Sequence, residues 1–448
     1  MTSSQTVLTD IFDGETFDTI AQSPVSYITR AYYCARDPEW PVAIKSGSYL
    51  PEHSKQPHDI VKELKLISSV SHVNLIDVLG DLYESSTGSL HFWMPFIPYS
   101  LTDFLNSVSF SPYNNITELD EGFISLSRSF IFQITSALQY LHHKSIAHRD
   151  VKPRNILISN DGTVKLIDLG IAWDKKISPS EEALWPEPPN HLCSHICSGP
   201  YRAPETIFGA EDYDPYAVDI WSLGATVAEF FTPIRFIADD DDRSEESDDG
   251  SEAPEQRPDQ PLPRIINQPV SSWAHGEWQR ESLFNAERGS IGLAWSIFQI
   301  RGTPDRTTWP GFDHLPDSPK LVFQVAKPVD LRLLLPNLPL HPLSASQGEL
   351  EATSHSPPAL PTNDALDFVW RLLIYPPELR MKPTAALKHP WITEAPLLVP
   401  PGYSTSTAEC SVIETTNHWS DGKHQLGDLL QLYLHPQASR TSETNETE

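Results

Sequence analysis

Residues 148–170 decide the fold of this chain, and they read H-R-D-V-K-P-R-N-I-L-I-S-N-D-G-T-V-K-L-I-D-L-G. After the opening triplet come two runs with the apolar character of strands, 156–158 and 164–167. Asn160-Asp161-Gly162 lies between them and favours a tight turn, because these residue types accept a positive φ. The pattern predicts a hairpin that holds the polar residues on either side of it in loops.

Four polar side chains of this stretch form a chemical set: Asp150, Lys152, Asn155 and Asp168. A carboxylate within reach of a hydroxyl can orient it or accept its proton. An ammonium beside a phosphoryl group stabilises charge on its oxygens, and amide and carboxylate oxygens suit Mg²⁺. The set suits transfer of a phosphoryl group from a metal-bound nucleotide to an alcohol. The stretch resembles the catalytic and metal-binding loops of eukaryotic protein kinases.

Two earlier segments fit this resemblance. Pro41-Val42-Ala43-Ile44-Lys45 is similar to the kinase strand whose lysine contacts the α- and β-phosphates of ATP. Residues 58–67 carry apolar side chains at helical spacing, and Glu63 takes the place of the helix glutamate that pairs with this lysine in the family. The resemblance implies a serine/threonine kinase with catalytic residues Asp150, Lys152, Asn155, Lys45 and Glu63, and with Asn155 and Asp168 as Mg²⁺ ligands.

The resemblance also implies the fold class, an α+β bilobal protein kinase fold. A small antiparallel β N-lobe with one main helix would precede a larger, mostly α C-lobe. A stripe of Leu126, Phe130, Ile134, Leu138 and Leu141 predicts a long packed helix in the C-lobe. We expect a flexible N-terminus at 1–16, a kinase domain at 17–395 (N-lobe 17–97, C-lobe 98–395), an acidic disordered insertion at 237–281, a loose loop at 338–363 and a mostly flexible tail at 396–448.

The nucleotide site departs from the family at its phosphate-binding loop. Kinases cover the phosphates with a glycine-rich loop, but Ala21, Ser23 and Ser26 stand where the glycines belong. Each Cβ limits the close approach of the backbone, so we expect weaker or slower ATP handling rather than its loss. The remaining ATP-binding positions implied by the resemblance are Ile28, Ala43, Lys45, Met94, Phe96, Ile97, Asn155, Leu157 and Asp168.

The activation segment departs from the family as well. In the family, Arg149 often binds a phosphothreonine that orders this segment. Counting back from Tyr201-Arg202-Ala203-Pro204-Glu205 places that site at Cys193, which is not a phosphorylatable residue, with Ser194 beside it. Either the segment is held without phosphorylation, or Ser194 substitutes.

Motifs of the C-lobe narrow the resemblance to the cyclin-dependent-kinase-like (CMGC) branch. The Tyr-Arg-Ala-Pro-Glu form, Gly302-Thr303-Pro304-Asp305 and Trp309-Pro310-Gly311 are similar to that branch. The cyclin-contacting helix signature is not matched, which argues against dependence on a cyclin. Together with the missing glycines and threonine, this resembles the monomeric fungal kinases that phosphorylate the activation-loop threonine of cyclin-dependent kinases. The alternatives are a proline-directed kinase of the same branch and a pseudokinase that only binds partners.

Composition limits the partners. A formal charge of −28 argues against a nucleic-acid binder, and much of it comes from the acidic run 239–255. No apolar run is long enough to suggest a membrane span, and the 4 cysteines are too few for a disulfide framework. We expect a monomer in the cytoplasm, the nucleus or both, acting on protein substrates with ATP and Mg²⁺.

Overall fold

The computed structural model describes residues 7–34, 40–112, 121–180, 183–238, 262–266, 268, 275–339, 365–403 and 413–435. The acidic run and most of the predicted loop 338–363 lie outside these ranges. The described residues form an antiparallel sheet with one main helix, followed by a mostly helical region. The predicted α+β kinase fold is confirmed.

The N-terminal sheet is built from strands in the order β1-β2-β3-β5-β4. Its strands are β1 (Asp18–Gln22), β2 (Ser26–Ala31), β3 (Val42–Ser48), β4 (Gly80–Glu84) and β5 (Ser89–Pro95). Every neighbouring pair is antiparallel, and Lys45 on β3 lies opposite Ile28 on β2 and Phe92 on β5. The central position of β3 gives Lys45 a rigid support on both sides.

Helix α1 (Ile60–Ser69) packs under this sheet through Ile60, Leu64 and Ile67, as predicted. It begins at Asp59, whose side chain accepts a hydrogen bond from the Lys62 N–H and so caps the first turn. Lys62 and Glu63, both on this helix, are buried.

The ordered N-lobe begins earlier than residue 17. Phe12 is fully buried and packs against Tyr33 and Trp93. Short 3₁₀ turns at Leu8–Asp10 and Gly14–Thr16 flank it. The prediction of a flexible segment at 1–16 is therefore wrong for 7–16, because one aromatic side chain anchors that segment to the outer face of the sheet.

The C-lobe is organised around two buried helices. Its helices are α2 (Leu101–Leu105), α3 (Glu121–His143), α4 (Pro204–Ile207), α5 (Pro215–Ala228), α6 (Gly289–Arg301), α7 (Leu331–Leu334), α8 (Ala365–Leu372), α9 (Pro383–Ala386), α10 (Pro390–Thr393) and α11 (Leu426–Leu434). All five apolar residues of the predicted α3 stripe have no exposed surface. Both α3 and the apolar α5 contribute side chains to one large core.

Short strands position the loops between these helices. They are β6 (Tyr99–Ser100), β7 (Ile146–Ala147), β8 (Ile156–Ile158), β9 (Val164–Leu166) and β10 (Trp173–Asp174). Strands β8 and β9 pair antiparallel, and Gly162 between them has a φ of 83°. The predicted hairpin is confirmed, and its turn uses the one residue type that adopts this φ without strain.

The predicted disordered insertion has ordered ends. Strands β11 (Ile234–Ala238), β12 (Ile265–Ile266) and β13 (Gly276–Arg280) form a small sheet with β11 in the centre. The Arg280 side chain is buried and donates to the carbonyl oxygens of Leu105, Phe110 and Thr232 at 2.9–3.0 Å. The prediction for 237–281 is corrected at 237–238, 265–266 and 276–281, because these residues pair as strands and three backbone carbonyls hold the Arg280 side chain.

Glu229, at the C-terminal end of α5, is a buried carboxyl group whose protonation affects stability. Burial raises the pKa of its carboxyl to about 7, although Tyr201 and Ser282 donate hydrogen bonds to it and Arg280 lies nearby. The folded protein holds this proton more tightly than the unfolded chain, so the stability it confers is lost as the pH rises from about 4.5 through 7. We expect Glu229→Gln, which keeps an acceptor without the charge, to be more stable than the wild type by about 3 kcal/mol at pH 8 and close to it in stability near pH 4. Urea unfolding at both pH values measures the difference in free energy of unfolding. A difference of the same size at both pH values would contradict the prediction.

The C-terminal segment is packed rather than loose. Strands β14 (Leu397–Leu398) and β15 (Thr415–Thr416) pair in parallel, and α11 buries Leu426, Leu429, Leu430 and Tyr433. We call residues 397–403 and 413–435 the C-terminal strap. The prediction of a mostly flexible tail at 396–448 is corrected for these residues, since α11 has an apolar face that the C-lobe covers.

The strap contacts both lobes. The Ser107 hydroxyl donates to the Tyr433 carbonyl, and the Tyr403 hydroxyl donates to Asn74, which follows α1. Arg128 on α3 holds the chain just before the strap by donating to the carbonyl oxygens of residues 391, 392 and 395. None of the helices in the described part of the chain combines the length and apolar character that crossing a bilayer requires.

Candidate active site

A buried lysine joins the two lobes at the centre of the site. Lys45 Nζ lies 2.7 Å from Glu63 Oε1 and 2.8 Å from Asp168 Oδ1. Burial opposes its charge, but the attraction of Asp168 and then of Glu63 more than offsets this and raises the lysine pKa. Burial likewise opposes the Asp168 carboxylate, yet Lys45 holds the pKa of that carboxyl far below its usual range. Lys45 and Asp168 therefore meet as charged groups. Burial has the larger effect on Glu63 and raises the pKa of its carboxyl to about 7, although the attraction of Lys45 opposes this shift.

The loop that carries Asp168 is held in a strained conformation. Asp168 has a φ of 67°, in the left-handed region that non-glycine residues rarely adopt. Its Oδ1 also accepts a hydrogen bond from the Gly170 N–H at 3.2 Å. A Cβ on Gly170 would lie 3.0 Å from Asp168 Oδ1 and 3.2 Å from Glu63 Oε2. A glycine at 170 therefore lets the two carboxylates approach Lys45 together.

The catalytic loop brings the other predicted residues together. Lys152 Nζ lies 3.0 Å from Asp150 Oδ1 and 2.9 Å from the Ser198 hydroxyl. The Asn155 amide nitrogen donates to Asp150 Oδ2 and to the Asp150 carbonyl, both at 2.9 Å. These bonds fix the carboxylate, and they link it to the activation segment through Lys152 and Ser198.

Buried groups beneath the loop set its backbone. Asp219 on α5 accepts from the His148 N–H at 2.8 Å and the Arg149 N–H at 2.6 Å. His148 Nε2 lies 2.9 Å from the Ile167 carbonyl, and its Nδ1 accepts from the Asp150 N–H. His148 thus ties the Asp150 backbone to the strand leading to Asp168. His148 opens the His-Arg-Asp triplet, but nothing in the sequence pattern pointed to this role.

The three positions of the missing glycines lie in the β1–β2 hairpin. Ala21 is on β1 opposite Ile28, and Ser23 and Ser26 bound the turn. The Ser23 hydroxyl accepts from the N–H groups of Val25 and Ser26 at 3.3 and 3.0 Å. In a glycine-rich loop, backbone N–H groups of this kind face the phosphates. Here a side chain already satisfies two of them.

Several of the predicted ATP-binding residues lie at or beside the connection between the lobes. Ala43 on β3 lies opposite Met94 on β5, and Met94 is buried. The Phe96 N–H donates to the Pro41 carbonyl at 3.2 Å. This bond leaves Phe96 unable to offer its N–H to a ligand. The other predicted positions, Ile28, Ile97 and Leu157, are all partly buried, as Ala43 is.

Two of the predicted residues could hold a divalent cation. Asn155 uses its amide nitrogen toward Asp150, which leaves its side-chain oxygen as an acceptor. Asp168 uses Oδ1 toward Lys45 and Gly170 and keeps Oδ2 as a second acceptor. An amide oxygen and an ionised carboxylate oxygen fit the ligand preference of a hard divalent metal.

The partner of Arg149 is a residue that the sequence analysis missed. Its guanidinium lies 2.8 and 2.7 Å from the two carboxylate oxygens of Glu187. Cys193 donates its N–H to Glu187, and its carbonyl accepts from the Tyr213 hydroxyl, which lies 3.3 Å from Arg149 Nη1. The Ser194 hydroxyl lies next to His195 instead. Glu187 stands in Trp-Pro-Glu-Pro-Pro, and no spacing rule connects it to Arg149. The only signal was that it is a carboxylate within the segment.

The model of the protein kinase domain family matches residues 28–392. This match covers more than half of the sequence, and the chain belongs to that family. The solved yeast RNA Pol II CTD kinase CTDK-1 complex contains a chain with the same fold: its TM-score is 0.55 at 20% identity, and the match covers 88% of this chain and 98% of that one.

Curated relatives locate the chain within the family. Serine/threonine-protein kinase csk1 of Schizosaccharomyces pombe is 28% identical over 285 residues, covering 63% of this chain and 72% of that protein. Cyclin-dependent kinase 2 of Caenorhabditis elegans is 27% identical over 333 residues, covering 74% and 66%. Serine/threonine-protein kinase SSN3 of Coccidioides immitis is 26% identical over 345 residues, covering 76% and 62%. The predicted branch is confirmed: the chain is a serine/threonine protein kinase of the cyclin-dependent-kinase-like type, which uses ATP and a divalent metal.

Proposed function

We propose that this kinase transfers the γ-phosphate of Mg-ATP to the activation-loop threonine of a cyclin-dependent kinase. The observation that carries the catalytic part is the shared contact of Lys45 with Glu63 and Asp168, beside an Asp150 that is fixed by Lys152 and Asn155. A scaffold without catalysis has no need for this arrangement of buried charges. The pseudokinase alternative is therefore disfavoured.

Each residue has a defined part in the proposed transfer. Lys45 positions the α- and β-phosphates, and backbone groups of residues 95–97, which connect the two lobes, bind adenine. Asp150 orients the substrate hydroxyl and accepts its proton, while Lys152 stabilises negative charge on the transferring group. Asn155 and Asp168 would hold Mg²⁺, which when bound neutralises phosphate charge. Donation from the turn of residues 23–26 is reduced, so we expect a high KM for ATP.

The substrate proposal rests on what the chain lacks relative to its branch. The cyclin-contacting signature is not matched and no threonine stands at position 193, which resembles the monomeric fungal kinases that activate cyclin-dependent kinases. The alternative within the branch is a proline-directed kinase. It is supported by the similarity to cyclin-dependent kinase 2 of C. elegans, whose alignment covers 74% of this chain.

Phosphate transfer from Mg-ATP to a recombinant cyclin-dependent kinase tests this proposal. We expect label on the activation-loop threonine, and none on a substrate in which that threonine is alanine. Preferential labelling of Ser-Pro and Thr-Pro peptides would instead support the proline-directed alternative.

The Asp150→Asn variant serves as the control for this assay. Equal transfer by the wild type and this variant would identify a contaminating kinase. Transfer by neither, on any protein substrate, would overturn the proposed catalytic function.

A further inference from the structure

The activation segment supplies a permanent counterion for the catalytic loop. The Arg149 side chain is completely buried, its Nε donates to the Ile171 carbonyl at 2.8 Å, and both terminal nitrogens bond the Glu187 carboxylate. Bidentate pairs of this kind combine charge with a fixed geometry. A buried arginine without a counterion would be costly, so the fold depends on an anion at this point.

The surroundings of Glu187 resemble those that a phosphate group requires. Its carboxylate also accepts the Cys193 N–H at 2.8 Å and lies 3.9 Å from Lys62 Nζ on α1. Two cations and a backbone N–H converge on one fully buried anion. Burial opposes ionisation of the Glu187 carboxyl, but Arg149 keeps its pKa below the usual value.

The backbone around Glu187 is fixed as firmly as its side chain. The Glu187 N–H donates to Ser178 and its carbonyl accepts from Trp173 Nε1.

The residues just before Glu187 hold the start of α1. Asp59 Oδ1 caps the helix, and its Oδ2 accepts from the Leu184 N–H at 2.9 Å. Trp185 Nε1 donates to the His58 carbonyl at 2.9 Å. Because α1 carries Glu63, these bonds stabilise the helix position in which Glu63 reaches Lys45.

We propose that Glu187 is a positioning residue that replaces the activating phosphate, and that residues 184–187 hold α1 and the catalytic loop in their working arrangement. This kinase then reaches its active state on folding, without phosphorylation of the activation segment and without a second protein against α1. The proposal rests on the proposed kinase function and adds its mode of regulation.

The first experiment uses the full-length wild-type protein after treatment with a protein phosphatase. Mass spectrometry verifies that residues 168–205 carry no phosphate. We expect kcat to be unchanged, with no added partner. An activity that is lost on dephosphorylation and returns on rephosphorylation of this segment, or that needs an added protein, would overturn the proposal.

The second experiment compares Glu187→Gln with Glu211→Gln. Glu211 is an exposed glutamate downstream in the same part of the chain. Loss of the Arg149 pair should shift the catalytic loop, and a displacement near 1 Å is enough for about a 10²-fold fall in kcat. We expect this fall for Glu187→Gln, a smaller one for Glu187→Asp, which restores the charge, and none for Glu211→Gln. Equal kcat in both glutamine variants would contradict the proposal.

Hydrogen exchange separates this role from general unfolding and from failure of the proposed function. Glu187→Gln should speed exchange in residues 184–203 and leave the buried helix α5 protected. Hydrogen exchange needs no substrate, so it tests whether Glu187 orders the segment even if the wild type phosphorylates nothing. Unchanged exchange in 184–203 would show that Glu187 does not order the segment, whereas an inactive wild type with the expected exchange would count against the proposed function alone.

Discussion

Replacing Asp150 with asparagine should reduce kcat by about 10³-fold while the protein stays folded and still binds ATP. A positioned general base contributes about 10²–10⁴-fold, and the amide cannot accept the hydroxyl proton. In the wild type, Lys152 and Asn155 hold the Asp150 carboxylate from two sides. Asparagine has the same shape and keeps one acceptor oxygen for one of these two partners. We therefore expect a change in kcat with a nearly constant KM for ATP and a nearly constant melting temperature.

The control for Asp150→Asn is Asp77→Asn. Asp77 is largely exposed and pairs with Lys165 at 3.3 Å. An exposed pair of this kind contributes about 0–1 kcal/mol, so its loss should leave both kcat and stability close to wild type. Steady-state kinetics and thermal unfolding of the two variants check the prediction. If Asp150→Asn retained a tenth or more of the wild-type kcat, Asp150 would not be the base.

The sequence predicts best those features that depend on residues close together along the chain. Asp150, Lys152 and Asn155 lie within six positions, so one loop places them together whatever surrounds it. The stripe on α3 and the Asn-Asp-Gly turn are likewise local patterns with a direct physical meaning.

Lys45 and Asp168 form a contact between residues that are far apart along the chain. They are 123 positions apart and meet at 2.8 Å. Neither spacing nor composition could show this contact. The family resemblance implied that both residues belong to the ATP site, because each occupied its expected place in a recognisable segment, but it did not name the contact between them.

Glu187 could not be identified from the sequence. Its role depends on a tertiary meeting with Arg149 and Lys62, and the family directs attention to position 193 instead. A carboxylate between prolines looks like any solvated loop residue. Only its complete burial distinguishes it.

The C-terminal strap was missed for a different reason. Leu426, Leu429, Leu430 and Tyr433 have the spacing of one helix face, so the helix itself was readable. What the pattern lacks is the surface that receives this face. Leu426 lies against Gly162 in the β8–β9 turn, where a Cβ would come within 2.6 Å of it. That contact joins parts of the chain more than 260 positions apart.

Removing residues 396–448 should therefore prevent stable folding of the kinase domain. The deletion takes away Leu397, Leu398 and Val399, all nearly fully buried, together with the apolar face of α11. Full burial of one such side chain contributes about 1.5–3 kcal/mol, and whole domains are stable by only about 5–15 kcal/mol. We expect the shortened chain to be insoluble or to lack a cooperative thermal transition, measured by calorimetry against the full-length protein.

Two neighbouring leucines on α11 provide a finer test that avoids wholesale deletion. Leu430 is fully buried, whereas Leu432 is 40% exposed. Leu430→Ala should lower the free energy of unfolding by about 2–5 kcal/mol, because it leaves a cavity against the C-lobe, and Leu432→Ala should cost less than about 1 kcal/mol. Both variants have the same change in helix propensity, so the difference between them isolates the contact with the C-lobe. Urea unfolding that found equal, small losses for the two would mean that α11 does not stay docked in solution, and that the strap contributes little to the stability of the catalytic domain.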